Sequence, residues 1–121
     1  MYMKNEIRIP QTTIDLKNCF TEEEFVVKTC QQINKDLVGL VDNPEQFNID
    51  LDGDVLGQMT ITVERIIKGI STHNLQQFMY KVDLNESTFL NLLGDKNATD
   101  ELAFLIIKRE AQKIYLRKQF G

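Results

Sequence analysis

The sequence has no tryptophan, one histidine (His73), two prolines and two cysteines among 121 residues. Each scarcity removes a class of explanation. Cys19 and Cys30 stand outside any C-x-x-C spacing and are too few for a disulfide framework or a four-ligand zinc site. They read as reduced cytosolic thiols, with Cys30 on the apolar face of an expected helix. A lone histidine cannot complete a histidine-rich metal site, and a catalytic dyad would require His73 to meet a nucleophile from elsewhere in the fold. No G-x-S-x-G, P-loop, G-x-G-x-x-G or H-E-x-x-H pattern occurs.

No run reaches the ~18 apolar residues of a membrane span, and residues 1–10 carry Lys4, Glu6 and Arg8 instead of an apolar export core. A cytoplasmic protein without a membrane partner is the expectation. Positive charge is also in short supply. The net charge of -4 disfavours bulk coating of nucleic acid, because phosphate binding needs a dense positive field.

What the chain does have is enough Leu, Ile, Val and Phe, within a 42% hydrophobic and 26% charged composition, to bury one core without metal or disulfide staples. Residues 1–19 read as an extended N-terminal arm, since Ile7 and Ile9 alternate with Glu6 and Arg8 before Pro10. Residues 20–121 read as a single helical domain. Thr21 and Glu24 form a capping box, with Phe20 and Phe25 as the flanking staple. Val26, Cys30, Ile33, Leu37 and Leu40 then recur at helical spacing until Gly39 or the Asp42-Asn43-Pro44 turn.

Residues 47–63 admit two readings. Phe47, Ile49 and Leu51, then Met59, Ile61 and Val63, alternate as in a hairpin, which would make the fold α+β. Val55, Met59, Val63, Ile66, Ile67 and Ile70 also share one helical face, and that register continues where the alternation fails. A helix over about residues 54–68 is therefore preferred, against the β-branched run from Thr60 to Val63 and Gly57. Leu75, Phe78, Met79 and Val82 follow a Ser71-to-Asn74 turn. Asp83 with Glu86 resembles a second capping box before Leu84, Phe89, Leu92 and Leu93. A last helix spans about residues 98–119, with Asp100 and Glu101 in its first turn. Leu102 through Ile107 are apolar on every side, so this helix should run through the core. The expected fold is mainly α, a small bundle of about four or five helices with an extended arm.

Two clusters invite chemistry. Asn48, Asp50 and Asp52 with Gly53 and Val55 fit the first half of a calcium loop, but Met59 occupies the position of the closing carboxylate. An acidic surface turn accounts for the same residues. At the other end, Arg109, Lys113 and Arg117 recur every four residues beside Lys108 and Lys118, opposite Ala103, Ile106, Ile107, Ala111 and Ile114. Arg109, Lys113, Arg117 and Lys118 are the candidate partner-binding residues.

With no catalytic constellation and no cofactor motif, the expected role is a non-enzymatic protein-interaction or scaffold domain, binding a protein partner or a second copy of itself. The apolar Met1, Tyr2, Met3, Ile7 and Ile9 favour docking of the arm. The alternative is a nucleic-acid-associated regulator using the basic helix. An enzyme assembled from scattered carboxylates and Cys30 ranks third.

Overall fold

The computed structural model describes residues 9–42, 47–93 and 95–120, and among these the fold is all helical. Six α-helices follow in order: α1 (Thr13–Cys19), α2 (Glu23–Leu37), α3 (Val55–Gly69), α4 (Thr72–Val82), α5 (Glu86–Leu93) and α6 (Thr99–Phe120). A 3-10 turn (Lys96–Ala98) leads into α6. The mainly α bundle is therefore the fold, with one more helix than the sequence reading allowed.

That extra helix is α1, which corrects the reading of residues 13–19 as extended chain. Thr12 accepts from the backbone N–H of Asp15 at 3.1 Å, and the Asp15 carboxylate accepts from the Thr12 N–H at 3.2 Å. This reciprocal cap satisfies donors that a seven-residue helix would otherwise leave bare. Leu16 is fully buried and α1 rests against α3. Pro10 is also buried, and its carbonyl accepts from Gln112 Nε2 of α6 at 2.8 Å. Met1, Tyr2, Met3 and Ile7 lie outside the described residues.

α2 starts one residue later than the capping box implies. Glu22 occupies the cap position but its side chain makes no capping bond, while the Thr21 hydroxyl donates to the Asn18 carbonyl at 2.7 Å. The Phe20–Phe25 staple does form, edge to face at 5.8 Å. Val26, Cys30, Ile33 and Leu37 are buried as the spacing requires. The helix ends at Leu37, and Gly39 takes the left-handed conformation (φ 84°) open to glycine without strain.

The hairpin alternative fails at α3. Asp54 caps this helix by accepting from the Gly57 N–H at 3.0 Å. The Thr60 and Thr62 hydroxyls donate back to the Leu56 and Gln58 carbonyls at 2.8 and 3.1 Å, so the β-branched run satisfies itself within the helix. Met59 and Val63 are fully buried.

α4 is capped by Ser71, which accepts from the Asn74 N–H at 3.1 Å. Asp83 does not cap α5. It sits at φ 70° and closes α4 by donating its N–H to the Met79 and Tyr80 carbonyls, and Asn85 caps α5 by accepting from the Thr88 N–H. Its left-handed backbone is one that Asp tolerates better than most residues. α6 contacts α2, α3, α4 and α5 and buries Leu102, Ala103, Ile106, Ile107, Glu110, Ala111 and Ile114. It is the central element, as the all-round apolar run from Leu102 to Ile107 implies.

Candidate functional site

The basic residues of α6 divide between the interior and the surface. Arg109 reaches Asp83, with Nη2 at 2.8 Å from the carboxylate and Nε at 3.2 Å from the carbonyl. This contact holds the exposed Asp83 carboxyl below its ordinary pKa. Lys113 turns inward. Its Nζ lies 2.8 Å from Glu110, 3.1 Å from Asp36 and 2.9 Å from the Lys81 carbonyl, tying α6 to the ends of α2 and α4. Lys118 is exposed and meets Glu22 at 3.3 Å. Arg117 is exposed and makes no ion pair among the described residues. The spacing-by-four stripe is thus not one free cationic surface.

Its outer end instead meets α2 to form a groove of about 370 Å³. Phe25 and Ile114, both almost fully buried, supply an apolar floor. Lys28, Lys35, Arg117 and Lys118 supply four cations around it, against the single carboxylate of Glu24. Glu24 is itself held by Lys28 at 2.7 Å, which lowers its pKa. Lys35, like Arg117, has no acidic partner among the described residues. Gln31 and Gln32 add amide groups to the wall, and the Gln32 amide donates behind it to Asp36 at 3.1 Å. Such a surface offers apolar contact at its base and unneutralised positive charge at its rim.

Sequence reading placed Arg117 and Lys118 at this site but missed the α2 side. The signal was present: Lys28 and Lys35 are seven residues apart and share a helix face, opposite the Cys30–Ile33–Leu37 stripe. The second missed feature is the buried cluster of Asp36, Glu110 and Lys113. Glu110 has no exposed surface, and burial away from water pushes its carboxyl up to about 8. The neighbouring Asp36 carboxyl adds to that rise, while Lys113 opposes it.

The other candidates are structurally occupied. Asp50 accepts from the Asp52 N–H at 3.0 Å, its own N–H donates to Gln58 Oε1 at 2.8 Å, and Asp54 is the α3 cap. Among the described residues, no group of three metal-capable side chains converges. Cys30 is buried, and desolvation raises its thiol to about 12, far from the thiolate a nucleophile needs. His73 is exposed in the first turn of α4. A second, shallower groove is lined by Val26, Val27, Cys30, Phe47, Ile49 and Leu51 among others and lacks the cationic rim. No helix of the described residues is long and apolar enough to cross a membrane. In comparisons with known proteins, the chain matches no family model, no curated protein and no solved structure.

Proposed function

We propose that this chain is a non-enzymatic interaction domain that receives an acidic segment of a protein partner in the groove between α2 and the end of α6. The observation that carries this reading is the pairing of an apolar floor, Phe25 and Ile114, with Lys35 and Arg117, two rim cations that meet no acid among the described residues. A segment with one or two apolar side chains flanked by carboxylates complements both features. The groove volume suits a few side chains, so the contact belongs to the weak, reversible kind.

The nucleic-acid alternative draws less support, since it requires Arg109 and Lys113 at the surface and both are engaged within the chain. A direct test titrates a synthetic peptide of alternating Glu and Leu into labelled protein and follows amide shifts. The expected result is perturbation centred on Gln31, Gln32, Lys35 and Arg117, weakened by salt and abolished in a Lys35→Glu/Arg117→Glu double variant. No perturbation there, or equal response to an alternating Lys and Leu peptide, would overturn the proposal. A short DNA duplex run in parallel reports on the alternative directly.

A further inference from the structure

Directly behind the groove, two carboxyl groups from different helices face one another across the α2–α6 seam. Asp36 sits one turn beyond Gln32 on α2, next to Lys35, and Glu110 sits one turn before Ile114 on α6. Both Glu110 oxygens are buried without a hydrogen bond, although Lys113 Nζ approaches one of them at 2.8 Å. Two ionised carboxylates are acceptors only, so they cannot satisfy each other. A proton on Glu110 converts one oxygen into a donor toward Asp36 and leaves a single negative charge for the single ammonium of Lys113. Asp36 then has its other oxygen on the Gln32 amide, and Lys113 has its third contact on the Lys81 carbonyl at the end of α4.

We infer that Asp36 and Glu110 share one proton, and that its loss loosens the α2–α6 seam and weakens acidic-partner binding in the adjoining groove. The last step rests on the groove reading, and the proton sharing does not. The ionisable groups acting on Glu110 are Asp36 of α2 and Lys113 of its own helix; α3, α4 and α5 contribute none. When the proton leaves, two negative charges in a water-poor seam face one cation, and water must enter or the helices must part to solvate the excess. Gln32 belongs both to this network and to the groove wall, so movement at Asp36 reaches the wall without an intermediary.

Folding takes up the proton that an unfolded Glu110 would release near its ordinary value of 4.5 and that the folded chain holds to about 8. Stability from this group is therefore fully present at low pH and declines as pH rises through that window. The test follows melting temperature between about pH 6 and pH 9, where ordinary carboxyl groups have finished titrating. It adds a carbon-13 titration of the Glu110 carboxyl and the affinity of the alternating Glu and Leu peptide at each end. The native chain should lose about 4 °C or more, show a Glu110 midpoint near 8, and bind the peptide severalfold more weakly at the higher pH. Glu110→Gln, whose neutral amide can donate permanently to Asp36, should flatten both the melting and the binding dependence.

A Glu110 midpoint in the ordinary carboxyl range, or native and Glu110→Gln chains with the same pH slope, overturns the shared proton. Should Glu110→Gln fail to fold, Asp36→Asn serves instead, because removing the second acid should bring the Glu110 midpoint down. Peptide binding that is absent at every pH sinks the groove while leaving the carboxyl midpoint standing. Binding that persists unchanged with pH sinks the coupling alone.

Discussion

Lys113 of α6 lies 3.1 Å from Asp36 of α2, and it is the only cation reaching that carboxylate and Glu110 together among the described residues. Residues 77 positions apart in the chain thus share one buried charge network. Replacing Lys113 with Met retains the aliphatic stem and leaves two acids without their cation. The expected destabilisation is ~3 kcal/mol near neutral pH, measured by urea unfolding. It should grow at pH 9, where Glu110 has lost its proton and two negative charges go unbalanced. An equal loss at both pH values would place the role of Lys113 in packing instead.

Leu16 tests whether α1 belongs to the body of the fold. The side chain is fully buried and its helix leans on α3. Leu16→Ala should cost about 2–5 kcal/mol in a denaturant titration. A near-neutral result would return residues 13–19 to the status of a detachable arm.

Two glycines near opposite ends of α3 should respond differently to alanine. A Cβ on Gly57 would come within 2.9 Å of the Asp54 Cγ, disturbing the carboxylate that caps the helix, whereas a Cβ on Gly69 meets nothing within 4 Å. Helix propensity favours alanine by up to ~1 kcal/mol, and losing the cap costs about as much. Gly57→Ala should therefore give no net gain, while Gly69→Ala raises the melting temperature. A clear stabilisation by Gly57→Ala would show that the Asp54 side chain moves aside without losing its bond.

The two thiols should label in a fixed order. Cys19 is half-buried and its thiol is raised mainly by desolvation, with Asp15 and Glu22 adding to the effect; Cys30 is buried and raised to about 12. A disulfide reagent at pH 8 should modify Cys19 first and reach Cys30 only when urea unfolds the chain. Rapid native labelling of Cys30 would contradict its assignment to the core.

Much of the helical frame was legible because burial leaves a period in the sequence. The Val26–Cys30–Ile33–Leu37 stripe and the continuation of the α3 register through Ile66 both reflect one helix face excluded from water. Legibility was poorest where local hydrogen bonding decides. Thr12 and Asp15 cap α1 across a single turn, too short a span for periodicity to appear, and Asp83 could cap forward or close backward until Arg109 held it. Residues 47, 49 and 51 alternate without pairing; Phe47 and Ile49 lean on the core as part of a connection, so their alternation reports one-sided burial and not a strand.

By itself the sequence determined a mainly helical chain, the burial of α2, α3 and α6, and the excess of cations near the C-terminus, since each depends on composition and spacing along one segment. Tertiary structure decided what those cations do. Arg109, Lys113 and Arg117 have the same spacing, yet they face an αL turn, a buried carboxyl pair and an open groove respectively. Charge in a protein acts over a few ångströms and depends on local water, so its consequence is set by which helix lies opposite. That neighbour is chosen by packing of the whole chain and leaves no period in the residues it pairs.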